Sequence, residues 1–309
     1  MENFCVNLVC LRGQSETTAV SYGLKLEQFR SFLFGRGRSL LNAKRPDIKA
    51  YLEYLPTIGN CLRTVAVGLS AIRAFYKRLL KKKLIGRNPT VFLRVKKNWS
   101  NEPRSRPKDF VADILNKARD GARNVAFGPW TSRLAIRNWA IKEFFYGTAA
   151  RCVECCRANV LDVSMEKLTI LLHGKGGKDR VVSMTEAARD ALRIYLKSSR
   201  PKLLERSQKG RPSQAIFLTM FGTRISRGGL IDVTKDMSSH EYRHSHAQHG
   251  VDAGAGLPHI QRQLGHELLQ TTVIYAGHVS FDQLKEGHRR YHPRRRSRRK
   301  KDRNDRDKD

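Results

Sequence analysis

Apolar side chains recur at helical spacing through the first third of the chain. Tyr22, Leu26, Phe29 and Leu33 predict a helix from Thr17 that Gly35 and Gly37 end. Pro46 suits a second helix start, with Ile48, Tyr51, Leu52 and Leu55 behind it. Leu62, Val65, Leu69, Ile72, Tyr76 and Leu79 mark a third helix, followed by Lys81-Lys82-Lys83, Gly86 and Pro89. Such stripes are bundle core. Periodicity then stops over 94–108, RVKKNWSNEPRSRPK, a basic stretch with Pro103 and Pro107 that reads as a linker.

A second pattern begins at Asp109. Helices are predicted over 109–118 (Phe110, Ile114, Leu115) and 133–146 (Leu134, Ile141, Phe144, Phe145). Leu168–Leu172 and Arg180–Val182 flank the Gly-rich run Gly174–Asp179, the signature of a hairpin. A helix is predicted over 185–198, a short strand at Ala215–Leu218, and helices again from His240. A further short helix is expected from Ser280 to about Gly287. The expected architecture is mostly α: a helical bundle over 15–93, a linker over 94–108, a mixed α+β domain over 109–292, and a disordered tail over 293–309. The tail, with ten basic and four acidic side chains and no core-forming pattern, cannot fold alone.

Charge narrows the function. Lys and Arg number 60 against 28 acids, a formal net charge of +32. That excess suits a polyanion, with nucleic acid first and a merely soluble basic protein second. No apolar run is long enough to span a membrane, and the N-terminus has no basic region preceding its apolar residues, so a cytoplasmic protein with no membrane partner is expected. The cluster Cys152, Cys155, Cys156 has no second ligand pair nearby, so helix packing is the better reading than a metal site.

Candidate chemistry lies in HEYRHSHAQHGVDAGAGLPHIQRQLGHELLQTTVIY, residues 240–275. His240 and Arg243 are three apart, on one helix face, and can address the same anion. His266 follows a Gly-rich turn, and Tyr275 offers a hydroxyl for covalent catalysis. Arg151 follows an apolar helix and a Gly-Thr turn; its alternative role is an ion pair with Glu154. Lys175 stands at the hairpin tip with Lys178 as its rival, while the GKGGK string lacks the Ser or Thr of a P-loop. His244 and His246 are read as packing and local hydrogen-bonding residues.

These motifs resemble the tyrosine recombinases (phage integrases), most closely the bacterial Xer type. His240-Glu241-Tyr242-Arg243-His244, Leu264-Gly265-His266 and Thr271-Thr272-Val273-Ile274-Tyr275 carry the likeness, which runs from about Ser15 to Pro293. The resemblance implies a SAM-like core-binding bundle that, with the catalytic domain, forms a C-shaped clamp on double-stranded DNA, and a tetramer on two DNA sites. It implies Tyr275 as nucleophile and Arg151, Arg243 and His266 as phosphate-binding groups. His240 would be the partner base or donor, and Lys175 the acid for the leaving 5′ oxygen. It implies transesterification through a 3′-phosphotyrosine, in DNA integration, excision or dimer resolution, with no cofactor and no metal. DNA contacts are expected from Arg63, Arg73, Lys77, Lys178 and the tail residues Arg294, Arg295 and Arg296. A decayed DNA-binding relative and a type IB topoisomerase are the alternatives.

Four departures stand out. Ala149 replaces the usual Gly of the first arginine box. Only 21 residues separate Leu218 from His240, so the helix usual before that box must be truncated or missing. Tyr275-Ala276-Gly277-His278-Val279 is one residue longer than the usual run, and Cys155-Cys156 replaces residues that are commonly aliphatic.

Overall fold

A computed structural model of the chain describes residues 16–96, 104–124, 128–174, 177–207, 213–265, 268 and 270–275. The chain divides into two compact units, Met1–Asn101 and Glu102–Asp309. Described residues are mostly helical, and no described helix is long and apolar enough to cross a membrane.

The first unit contains α1 (Glu16–Phe34), α2 (Arg45–Thr57) and α3 (Leu62–Lys81). The three predicted stripes face one another. Leu26, Phe29, Leu33, Ile48, Tyr51, Leu55, Val65, Ile72 and Tyr76 are buried in one cluster. Tyr51 packs on Phe29 at a ring separation of 4.9 Å, and the Tyr76 hydroxyl donates to the Leu40 carbonyl at 2.8 Å. Arg63, Arg73 and Lys77 are exposed on α3. Their spacing puts them within about 80° on the helical wheel. Arg73 also donates to the Leu93 carbonyl, so it holds the chain after α3 as well as facing solvent.

The second unit is built around α5 (Gly128–Thr148), against which α4 (Lys108–Arg123), α7 (Glu186–Ile194) and α10 (Ser239–Asp252) pack. Phe144, Phe145, Phe217, Tyr195 and Tyr242 form its aromatic centre. Between α6 (Cys152–Arg157) and α7 lies an antiparallel sheet, β1 (Val163–Ser164), β2 (Thr169–Leu172) and β3 (Arg180–Ser183), in that order. Register pairs Ile170 with Val182 and Leu172 with Arg180. The hairpin is where the pattern put it, while β1 is too short to have left a periodic signal. Cys152 and Cys155 are buried in this core and Cys156 packs at its edge.

Several expectations change. The helix expected over 185–198 ends at Ile194, continues as a π-turn over Tyr195–Ser199, and resumes as α8 (Arg200–Leu204). Pro201 has no N–H to carry the ladder through that point. Ala215–Leu218 is buried but joins no sheet: it makes isolated bridges only, Asn159 to Ala215 and Leu218 to Arg224. The Arg200 guanidinium adds to those bridges, donating to the carbonyls of Ser213 at 2.6 Å and Ala215 at 2.8 Å. The helix before the His240 box is truncated to α9 (Arg227–Val233), seven residues started by the Ser226 side chain. The end of the basic linker is anchored. Arg106 donates from its backbone to Ser245 Oγ at 2.8 Å and pairs with Glu241 at 2.7 Å, while its carbonyl accepts from His249 Nε2 at 2.8 Å. The helix expected at Ser280, the run after Tyr275 and the tail lie outside the described residues.

Candidate active site

Arg151 sits at the exit of α5. Gly147 lets α5 approach α7 so closely that a Cβ would come 2.6 Å from Ala188 Cβ and Thr185 Oγ1. Thr148 Oγ1 donates to the Phe144 carbonyl at 2.6 Å and accepts from Ala150 N at 3.2 Å, which turns the chain. Ala149 has φ of +54°, the left-handed region that favours the Gly it replaces. Its methyl is buried with Ala247, Ile260, Leu264 and Tyr275, so packing offsets the strain.

The ion pair weighed for Arg151 is present, and it is larger than a pair. Glu154, almost fully buried, accepts from Arg151 N at 2.7 Å and Arg151 Nη1 at 2.9 Å. It also takes a forked contact from Arg180, at 2.5 and 2.9 Å. Burial alone would push the Glu154 carboxyl up, but Arg180 and the Arg151 backbone outweigh it and hold it low. Arg151 keeps 40% of its side chain exposed, so one edge of its guanidinium stays open to an incoming anion.

Arg243 is buried and donates from Nη1 to the Ala149 carbonyl at 2.6 Å and from Nη2 to the Leu264 carbonyl. Those two carbonyls tie the Arg151 turn, α10 and the end of α11 (Leu257–Leu264) to one guanidinium. Burial draws its pKa down, and the neighbouring Arg151 adds to that. Gly265 follows in a left-handed cap with φ of +62°, and a Cβ there would meet Arg180 Cδ at 2.5 Å. The glycine is required twice, by its backbone and by its neighbour.

Tyr275 completes the site. It is buried among Ala149, Ala247, Ile260 and Leu264, and its hydroxyl lies 2.6 Å from His244 Nδ1. Burial pushes the phenol up to about 12, against the pull of Arg243. His240 is on the solvent side of the same helix, and its pKa is lowered by partial burial and by Arg243, Arg151 and Arg227. The structure therefore gathers Arg151, His240, Arg243 and Tyr275 in one place. His244, read from sequence as a packing residue, instead touches the candidate nucleophile. His246 does serve a local bond, its Nδ1 lying 2.7 Å from the Tyr146 carbonyl.

Lys175, His266 and Arg294 to Arg296 lie outside the described residues. The root of the Lys175 loop is described. His173 bridges Asp162 and Asp179, each at 3.0 Å, and Asp179 accepts from Gly174 N at 3.1 Å. Those carboxylates, Asp179 first, raise the His173 pKa. Lys178 is exposed beside them.

Sequence reading missed Arg180, although a signal was there. Alternation in β3 puts Arg180 on the inward face with Val182, and an inward charge in a strand demands a partner. His244 was signalled too, since it is four residues from His240 and shares its face.

Two family models match the chain: the phage integrase family over residues 109–281, and the phage integrase N-terminal SAM-like domain over residues 1–83. Among curated proteins, tyrosine recombinase XerC of Bacillus licheniformis is 31% identical over 92% of both chains. Tyrosine recombinase XerD of Halalkalibacterium halodurans is 28% identical over 92% of this chain and 94% of its own. Among solved structures, XerH site-specific recombinase bound to a palindromic difH substrate superposes with a TM-score of 0.68 at 19% identity, covering 93% of this chain and 82% of that one. A lambda integrase dimer bound to a core site gives 0.65 at 16% identity, over 89% and 93%. At these identities the two structures speak for the fold.

Proposed function

The chain belongs to the phage integrase family of tyrosine recombinases, and we propose that it cuts and rejoins duplex DNA at specific sites with Tyr275 as its nucleophile. The observation that carries this reading is the meeting of Tyr275 with the helix face that bears His240 and Arg243, beside Arg151.

The chemistry follows from charge. A phosphodiester attacked by a phenol gathers negative charge on its non-bridging oxygens, and preorganised donors there lower the barrier. Arg151, Arg243 and His240 are those donors in this reading, with His266 as a fourth. Tyr275 Oη forms a bond to phosphorus, the bond to the 5′ oxygen breaks, and Lys175 supplies the proton that oxygen needs. The product is a 3′-phosphotyrosine and a free 5′ hydroxyl. A 5′ hydroxyl from a second strand reverses the step, so bond energy is conserved and no nucleotide hydrolysis is needed.

In the same reading, the bundle over 15–93 and the catalytic domain over 109–292 grip the duplex, with Arg63, Arg73, Lys77 and Lys178 on phosphates. The basic tail adds contacts through Arg294, Arg295 and Arg296. Strand exchange between two sites needs four active sites, which supports a tetramer on two DNA sites.

The test is a nicked suicide substrate that traps the covalent intermediate. Wild-type protein forms the adduct; Tyr275→Phe, which removes one hydroxyl, binds the same DNA and forms none. An adduct of undiminished yield in the variant would refute the assignment. Binding without any wild-type adduct would favour a decayed DNA-binding relative. Relaxation of a plasmid that lacks a specific site would favour topoisomerase action.

A further inference from the structure

A phenol is a poor nucleophile while it keeps its proton. Tyr275 keeps it firmly, because its surroundings are apolar on most sides. Something must take that proton as the bond to phosphorus forms, and the acceptor must already be within hydrogen-bond reach. The described groups near the site differ in what they can accept. Glu154 is engaged by Arg151 and by both ends of the Arg180 fork. Glu241 is engaged by Arg106, Ser238 N and Ser238 Oγ. A carboxylate held in ion pairs is a weak base. Arg151, Arg180 and Arg243 are donors only. His240 faces solvent and sits among Arg243, Arg151 and Arg227, where a phosphate is expected to bind. That leaves His244.

We infer that His244 is the general base that takes the phenolic proton of Tyr275. Three observations carry it, together with the acidity of a phenol, and it rests on the reading of Tyr275 as nucleophile. His244 Nδ1 is 2.6 Å from Tyr275 Oη, shorter than an ordinary nitrogen–oxygen hydrogen bond. The imidazole is partly buried beside His240 and Arg243, which disfavours its protonated form and leaves a lone pair to accept with. A phenol is the better donor and a neutral imidazole nitrogen the better acceptor, so the proton lies on Oη and Nδ1 accepts it, with the other ring proton on Nε2. Finally, His240, Arg243 and His244 stand at positions i, i+3 and i+4 of α10, a single face. One face therefore presents two phosphate-binding groups and one acceptor, and the nucleophile is hydrogen-bonded to the acceptor.

The step balances within the reaction already described. The O–H bond of Tyr275 breaks and an N–H bond forms at His244 Nδ1. The phenolic oxygen bonds to phosphorus, and the 5′ oxygen leaves with a proton from the acid assigned above. In the reverse direction the second strand's 5′ hydroxyl attacks phosphorus and gives its proton to the acid's deprotonated form, while the bond from phosphorus to the phenolic oxygen breaks and the imidazolium returns its proton to that oxygen. A phosphodiester bound alongside brings negative charge near the ring, which favours the imidazolium as it forms.

The experiment measures the single-turnover rate of adduct formation on the nicked suicide substrate, with half-site duplex binding as the check on folding. General bases contribute about 10²- to 10⁴-fold, so His244→Ala and His244→Gln should each slow the step at least about 10²-fold. Glutamine can accept the hydrogen bond but cannot take the proton, so an undiminished rate in His244→Gln would reduce His244 to a positioning group and overturn the proposal. A faster rate in His244→Ala would make the bond a latch that restrains Tyr275, and would overturn it equally. The decisive arm replaces Tyr275 by a fluorinated tyrosine whose hydroxyl ionises more readily. The defect of His244→Gln should then shrink to less than about tenfold, because the base has less to do. An unchanged defect would overturn the proposal even if the alanine variant failed to fold. An adduct that survives Tyr275→Phe would bring down the nucleophile assignment as well, whereas one lost in Tyr275→Phe but undiminished in His244→Gln brings down this inference alone.

Discussion

Replacing Glu154 by Gln removes one negative charge and almost no volume. In the native site its carboxylate, 5% exposed, accepts four hydrogen bonds, two from Arg151 and two from Arg180. The amide can accept on one oxygen only, and its NH₂ would face a guanidinium donor. The two arginines do not lose equally. Arg151 is 40% exposed and recovers hydration, so its share is that of a surface pair, about 0–1 kcal/mol. Arg180 is 14% exposed and is left as an unpaired buried cation, which costs about 3–5 kcal/mol. The two shares together make about 3–6 kcal/mol; for a unit of this size each kcal/mol lowers Tm by about 2–4 °C, so calorimetry should find the second unit melting about 6–24 °C lower. The companion variant, Glu154→Leu with Arg180→Met, removes both buried charges and should regain most of that loss, since apolar replacement of a buried pair is often neutral. It should still fail to form the covalent adduct, because Arg151 has lost the carboxylate that aims it. A fall of less than about 3 °C in Glu154→Gln, or a double variant no more stable than the single one, would refute the claim that Arg180 is held by Glu154.

Gly265→Ala should cost more than about 1 kcal/mol in urea unfolding, because φ there is positive and the new methyl must displace Arg180. Ala149→Gly should be near neutral: relief of left-handed strain, about 1–2 kcal/mol, is offset by a lost buried methyl of about 0.8 kcal/mol and by added chain entropy. His244, His246 and His249 all have pKa values lowered first by burial, so below the ordinary imidazole value of 6.5 the unfolded chain binds more protons than the fold. His240 is lowered in the same way and adds to them, while His173, raised by its carboxylate partners, and Glu143, raised by burial, oppose them. The urea midpoint should therefore fall between pH 7.5 and pH 5.5; a rise would contradict the burial of the three rings. A 5′-bridging phosphorothiolate, whose sulfur leaves without a proton, should restore cleavage to Lys175→Ala; rescue of Lys178→Ala in its place would transfer the acid's role to Lys178.

Periodicity was sufficient for the helices because each buries one face, and a repeat of 3.6 residues records that face directly. Leu26, Phe29 and Leu33 announce α1 in this way, and the Gly-rich centre between Leu172 and Arg180 announces the hairpin. The separated motifs at Arg151, His240, Arg243 and Tyr275 were also legible, since few chemistries ask for that set of side chains in that order. Tertiary structure decided what those side chains touch. Arg200 satisfies the carbonyls of Ser213 and Ala215, and the apolar run that reads as a strand is held by that guanidinium and by isolated bridges, outside the sheet. Arg180 reaches Glu154 from 26 positions away, and His244 meets Tyr275 across 31. Hydrogen bonds of that kind are set by where the chain returns in space. Sequence spacing carries the local face of each helix and holds no record of which distant group will satisfy a buried donor.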